Sequence, residues 1–198
     1  STAQSAAQSS AISLEVDETA GQQTNPKDTV ADRESSADFS SLFTVDSGNA
    51  SGNAAFGTDG ANTDGGSNGI EYSLALLSIN GGGTTAAAAG VDSGLYVVDG
   101  TTALGQGESI YLYTSGSDIV GRIGSAGAAD SAGTIAFTIS VDSSANVTFT
   151  QAAGVNIYHS DASNPDDSVS LALTQTGGLD VVIRLTQTLT DADLDTDS

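Results

Sequence analysis

Ile135-Ala136-Phe137-Thr138-Ile139-Ser140-Val141, then Asp142-Ser143-Ser144-Ala145-Asn146, then Val147-Thr148-Phe149-Thr150-Gln151 is the stretch that decides the fold. The outer segments are rich in β-branched and aromatic residues, which suit a pleated, half-buried surface. The segment between them is turn material, because Asp, Asn and Ser side chains bond their own backbone. Two strands with a tight reversal make a hairpin. Working outward, the same rhythm recurs at 70–79, 91–98, 108–114, 118–123, 133–141, 145–151, 154–159, 168–174 and 179–190. Within the last of these, Val181-Val182-Ile183-Arg184-Leu185-Thr186 is as clear as the hairpin. Gly, Asp and Asn punctuate the runs, and no amphipathic helix is visible. The Ala86–Ala89 run lies between Gly83 and Gly90 and reads as loop. The expected fold is all-β: an antiparallel β-sandwich with long Gly/Asp-rich loops and at most a short helical turn.

The N-terminal third is less regular. Residues 1–11 read as disordered or linker, and 12–198 as a single sandwich module of a larger protein. Ile12-Ser13-Leu14-Glu15-Val16 alternates apolar and polar and reads as a first strand. Residues 19–36 are polar, contain Pro26 and read as a long loop. Asp38-Phe39-Ser40-Ser41-Leu42-Phe43 reads as a short helical turn capped by Asp38, with Phe39, Leu42 and Phe43 plugging one end of the core. Residues 46–69 are Gly, Asn, Ser and Asp around Phe56, and read as loop or hairpin.

Composition bounds the rest. Only 38% of the 198 residues are hydrophobic and 5% aromatic, a supply suited to a thin two-layer core. Twenty-five acidic residues face 4 basic ones, for a formal net charge of −21. Self-repulsion of that size calls for a screen, either divalent cations at carboxylate clusters or external salt. So few cations exclude nucleic acid as a partner and disfavour an anionic lipid surface. The absence of Cys removes disulfides, thiolate metal sites and thiol nucleophiles. No run approaches the length of a membrane span, so no direct membrane insertion is expected. The chain opens without Met and stops on Asp195-Thr196-Asp197-Ser198, which reads as a piece of something longer.

The carboxylates offer the candidate chemistry. Asp191, Asp193 and Asp195 alternate just after the last strand, and such spacing lets them converge on a hard cation that takes six to eight oxygens. The EF-hand pattern does not fit, because Thr196 stands where that loop needs Gly and no Glu follows. Asp17 and Glu18, after the first strand, form a second candidate at a domain junction. Asp59, with Asp64, and the cluster Asp161, Asp166, Asp167 are candidate calcium loops that plain turn chemistry explains equally well. His159 is the sole histidine, and it reads as a structural residue at a strand end. Glu15, Glu71 and Glu108 are dispersed, with no Trp platform for sugar cleavage. The expectation is a protein that is not an enzyme and whose one cofactor is Ca²⁺.

Several of these segments, in order over residues 14–197, resemble a known family. They are Leu14-Glu15-Val16-Asp17-Glu18, Phe39-Ser40-Ser41-Leu42-Phe43, Gly57-Thr58-Asp59-Gly60, Tyr72-Ser73-Leu74-Ala75-Leu76 and Ser93-Gly94-Leu95. They continue with Ile119-Val120-Gly121, Phe137-Thr138-Ile139, Val147-Thr148-Phe149-Thr150-Gln151, Tyr158-His159 with Asp161, and Thr190-Asp191-Ala192-Asp193-Leu194-Asp195. Together they resemble the repeat domain of unknown function found in large RTX toxins and adhesins, related to the type I secretion repeat. Leu194 departs from the closing Gly of that pattern, and 80–90 and 124–132 look like Gly/Ala-rich insertions.

The resemblance implies type I secretion to the extracellular bacterial surface and calcium-dependent folding there. The expected function is a calcium-stabilised extender module of a giant secreted RTX adhesin, supporting adhesion or biofilm formation beside neighbouring domains of the same chain. Two alternatives stand beside it. One is a glycan- or peptide-binding module of the same adhesin, using the Gly-rich loops and Tyr96, Tyr111, Tyr113 and Tyr158. The other is a salt-adapted acidic surface protein.

Overall fold

The structure, a computed structural model, describes residues 34–43, 56, 60–64, 68–80, 83–87, 90–99, 105–158, 180–192, 194 and 196–197. Its strands are β1 (Glu34–Asp38), β2 (Ile70–Asn80), β3 (Gly83–Ala86), β4 (Val91–Asp99), β5 (Gly105–Ser115), β6 (Asp118–Ile123), β7 (Ile135–Val141), β8 (Asn146–Gln151), β9 (Asp180–Thr190) and β10 (Thr196–Asp197). They form a six-stranded sheet in the order β1-β8-β7-β6-β5-β4 and a four-stranded sheet in the order β10-β9-β2-β3. Every pairing between these strands is antiparallel. The all-β sandwich expected from the sequence is the fold.

Period-two burial makes the sandwich. In β5, Ile110 and Leu112 are fully buried while Tyr111 between them is partly exposed. Leu74, Leu76 and Val181 of the smaller sheet join Ile110, Leu112, Ile119, Phe137, Ile139 and Phe149 of the larger in one core. The sheets are also tied through the backbone. The Leu74 N–H in β2 donates to the carbonyl of Ser117, in the β5–β6 turn, at 2.8 Å. That bond satisfies β2 before β3 begins to pair at Leu77.

The deciding hairpin closes as its sequence dictates. Asp142 Oδ1 accepts the N–H groups of Ser144 (2.8 Å) and Asn146 (2.9 Å), and Oδ2 accepts from Asn146 Nδ2 at 2.9 Å. The Asn146 side chain, its backbone and then the Ser144 backbone hold the Asp142 carboxyl below the usual range. Across the hairpin, Phe137 pairs with Gln151 and Ile139 with Phe149. The Phe137 and Phe149 rings meet at 4.8 Å. On the other side, Phe137 stands in register with Gly121 of β6. A Cβ on Gly121 would lie 2.5 Å from Phe137 Cζ, so the ring occupies the space a side chain would need.

The end plug forms only in part, since Leu42 and Phe43 are partly buried and are not in the core cluster. Asp38 Oδ1 accepts the Ser40 N–H at 2.8 Å at the start of a 3-10 turn, Ser40–Leu42. The Ser40 bonds hold the Asp38 carboxyl below the ordinary value, and the charge of Asp142 works against them. Phe39 packs on the core, and Phe43 meets Tyr72 edge-on at 5.3 Å.

Three expectations need correction. Glu34–Asp38, which runs from the end of the stretch 19–36 read as loop to the residue read as a helix cap, is β1 and covers the edge of β8. Residues 83–86, read as insertion, form β3 against β2. Residues 154–159, read as a strand, contribute only a single bridge between Ile157 and Val97 among the described residues. The strands expected at 12–16 and 168–174 lie outside the described residues.

Gly121→Ala should destabilise the fold by about 1–3 kcal/mol, the usual penalty for overpacking, seen as a lower urea midpoint at unchanged slope. Asp142→Ala should cost about 1 kcal/mol at neutral pH. The native carboxyl titrates below its unfolded value, so its contribution is present above about pH 4. The gap between the Asp142→Ala variant and the parent should therefore close as pH falls through the lowered native value. A gap that persists undiminished at pH about 2 would contradict the assignment.

Candidate functional site

The C-terminal acidic stretch begins where β9 ends, and the backbone ties it to a loop far away in sequence. Thr190 donates its N–H to the Gly69 carbonyl (2.8 Å), and its own carbonyl accepts from the Asn62 N–H (3.0 Å). Ala192 donates to the Gly60 carbonyl at 2.9 Å, and Asp191 bridges Ala61. Gly60–Asp64 and Thr190–Ala192 therefore lie side by side at one end of the smaller sheet. Within the loop, Asn62 Oδ1 accepts the Asp64 N–H at 2.8 Å.

Gly69 makes this closure feasible. Its φ is +72°, and a Cβ there would stand 2.6 Å from the Thr190 carbonyl, 2.9 Å from Phe56 Cε1 and 3.0 Å from Ala61 Cβ. Neither the backbone angle nor the space admits a side chain. Beyond Asp191 the chain reverses. Leu194 donates its N–H to the Asp191 carbonyl at 3.1 Å, and Thr196 then pairs back on Thr190. Leu194 holds φ at +72° and is 62% exposed. The position where the resembled family has Gly thus adopts a Gly-type conformation with Leu in place, a strain of roughly 1–2 kcal/mol.

Of the candidate metal ligands, Asp191 is partly buried at this junction. Asp193, Asp195, Asp17, Glu18, Asp59, Asp161, Asp166 and Asp167 lie outside the described residues, as do Glu15 and His159. Among the described residues no three acidic, His or Cys side chains form a group able to hold a metal ion. Glu71 is exposed on β2, and Glu108 accepts the Gly127 N–H at 2.9 Å. Sequence reading located the two acidic stretches but not their juxtaposition. The one local signal was Gly69 following Asn68, whose Oδ1 accepts the Ile70 N–H at 3.1 Å.

The chain belongs to a family of domains of unknown function, DUF5801, whose model matches residues 13–198. No curated protein matches the chain, and no solved structure does.

Gly69→Ala should destabilise the protein by at least about 1–2 kcal/mol, the left-handed penalty alone. Hydrogen exchange should rise first at the amides of Asn62, Thr190 and Ala192. Unchanged protection there would show that the junction does not depend on Gly69.

Proposed function

We propose that this protein is a non-enzymatic, calcium-stabilised structural module of a large secreted bacterial surface adhesin. It acts as an extender between neighbouring domains of the same chain. The observation that carries the calcium reading is the backbone lacing of Gly60–Asp64 to Thr190–Ala192. It brings the start of the C-terminal run of alternating carboxylates onto an Asp/Asn loop. A cation taking many oxygen ligands from irregular loops suits such a place, since carbonyl and side-chain oxygens there come from two segments. The net charge of −21 adds a general reason for a cation to favour the folded state. The extender reading rests on the family resemblance together with a thin, helix-poor sandwich.

A ligand that binds only the folded state raises stability by about 2.7 kcal/mol at a hundredfold excess over its dissociation constant. Thermal melting in calcium should therefore give a higher midpoint than melting with chelator, and Asp191→Asn should reduce the difference. Equal midpoints with calcium and chelator would end the calcium reading. A midpoint that climbs with monovalent salt and ignores calcium would point instead to a salt-adapted acidic surface protein.

A further inference from the structure

Tyr96, Tyr111 and Tyr158 are partly exposed at the β4–β5 side of the six-stranded sheet, and Tyr113 beside them is buried. Leu95, Ile110, Leu112 and Ile157 point inward, each 3% exposed or less. Along β4 and β5 their neighbours Tyr96, Tyr111 and Tyr113 therefore turn to the other face, and Tyr158 follows Ile157 at its bridge to Val97. The Tyr158 N–H donates to the Tyr96 carbonyl at 2.7 Å, which sets these two residues opposite each other at the sheet edge. Tyr96 stands opposite Ser109, and Tyr111 stands between Asp92 and Arg122 on the neighbouring strands. Tyr96, Tyr111 and Tyr158 are each partly exposed, while Tyr113 is 8% exposed.

The register of β4 on β5 shifts twice here, between Asp92 and Tyr96 and between Tyr96 and Val98. Such irregularities re-aim side chains. The first shift is fixed by the fully buried Ser93, whose hydroxyl donates to the Ile110 carbonyl at 2.6 Å and accepts the Leu95 N–H at 3.1 Å. Beside the second, Glu108 and the Tyr111 hydroxyl both hold Gly127, through its N–H and its carbonyl respectively. The strap Ser125–Ala128 is thereby fastened over this side of the sheet. Among the described residues, Asp92 stands opposite Tyr111 with its Oδ1 accepting the Gly94 N–H at 2.9 Å, Glu108 shares the Gly127 strap with Tyr111, and Asp130 lies near Tyr113. Arg122 is the opposing cation, and its guanidinium already donates to the Gly133 carbonyl at 2.9 Å.

Partly exposed aromatic faces set among carboxylates match a guanidinium, which stacks on a ring and donates to a carboxylate at once. The net charge of −21 draws such a partner in from a distance. We propose that the outer face of the β4–β5 ribbon docks an arginine-rich peptide segment of a partner protein, with Tyr96 and Tyr158 as stacking platforms and Asp92 as the anchoring carboxylate. This docking is independent of calcium at the Asp191 junction.

The test is calorimetric titration of the full chain with octa-arginine and octa-lysine, in calcium-containing buffer at about 0.15 M salt. Octa-arginine should bind tighter than octa-lysine. Tyr96→Ser and Tyr158→Ser should each weaken it roughly two- to fivefold without altering net charge. Tyr96→Leu, which keeps apolar area and loses the ring, should do the same and guards against a fold defect in the Ser variant. Asp92→Asn should weaken binding more than Glu34→Gln, which removes the same charge at the far edge of the sheet. Tyrosine variants that bind like the parent, or equal effects of Asp92→Asn and Glu34→Gln, would reduce the binding to diffuse charge attraction and overturn the proposal. Tyrosine-dependent binding of an oligosaccharide with octa-arginine silent would overturn it too, in favour of a sugar.

Discussion

The packing on the inner face of the six-stranded sheet turns on the contact between the Phe137 ring and the backbone of Gly121. A chain with five Phe and no Trp has few large side chains with which to fill the space between two sheets. It fills that space by seating one ring where a neighbouring strand has no side chain at all, and by laying Phe149 against it. Leu74 and Leu76 of β2 then complete the cover from the other sheet. The remaining layers can be small, and Ala136 and Ala145 are fully buried. A Cβ on residue 121 would displace the ring, and with it the pairing to Phe149.

The strands that were legible in the sequence are those whose own residues supply the burial. β5, β7 and β8 place apolar residues on one face by themselves, and their bounds fall close to the expected ones. β1 was not legible, because Glu34-Ser35-Ser36-Ala37-Asp38 carries no apolar alternation of consequence. It is extended because β8 offers an edge that its backbone can satisfy, and tertiary pairing overrides propensity. The same holds for Gly83-Thr84-Thr85-Ala86 on β2. Ile157 errs the other way. Its apolar surroundings suggested a strand, yet what the core takes is one fully buried side chain at the β4 edge.

The acidic residues were harder to read, since turn chemistry and ligand chemistry use the same side chains. Asp38, Asp92, Asp130 and Asp142 each accept the backbone N–H two residues on, at Ser40, Gly94, Ala132 and Ser144. Asn62 and Asn68 do the same for Asp64 and Ile70. These residues are where they are because the chain turns there. The closeness of Gly60–Asp64 to Asp191 is different in kind. It follows from β2 and β9 pairing along their length, which no local pattern announces. The tyrosines were named from the sequence, but their common face was not. It required knowing which strand neighbours which, and that β4 and β5 slip against each other.

Turn capping and net charge pull in opposite directions, and their ranges decide how the protein meets its solvent. A carboxylate that closes a turn works through bonds of 2.8 to 2.9 Å, which salt barely touches. The repulsion among these carboxylates, such as that between Asp38 and Asp142, acts over longer distances and is screened within about 8–10 Å at ordinary ionic strength. Dissolved salt therefore relieves the repulsion and leaves the turns intact. A bound cation does something salt cannot: it needs oxygens from more than one segment and fixes those segments to each other. Capped turns such as Asp142 serve a single hairpin and have nothing further to join. The Asp191 junction already joins two segments through their backbones, so a cation held there would stiffen a contact that is long-range in sequence. That makes it the place in the described fold where calcium and simple screening have different structural consequences.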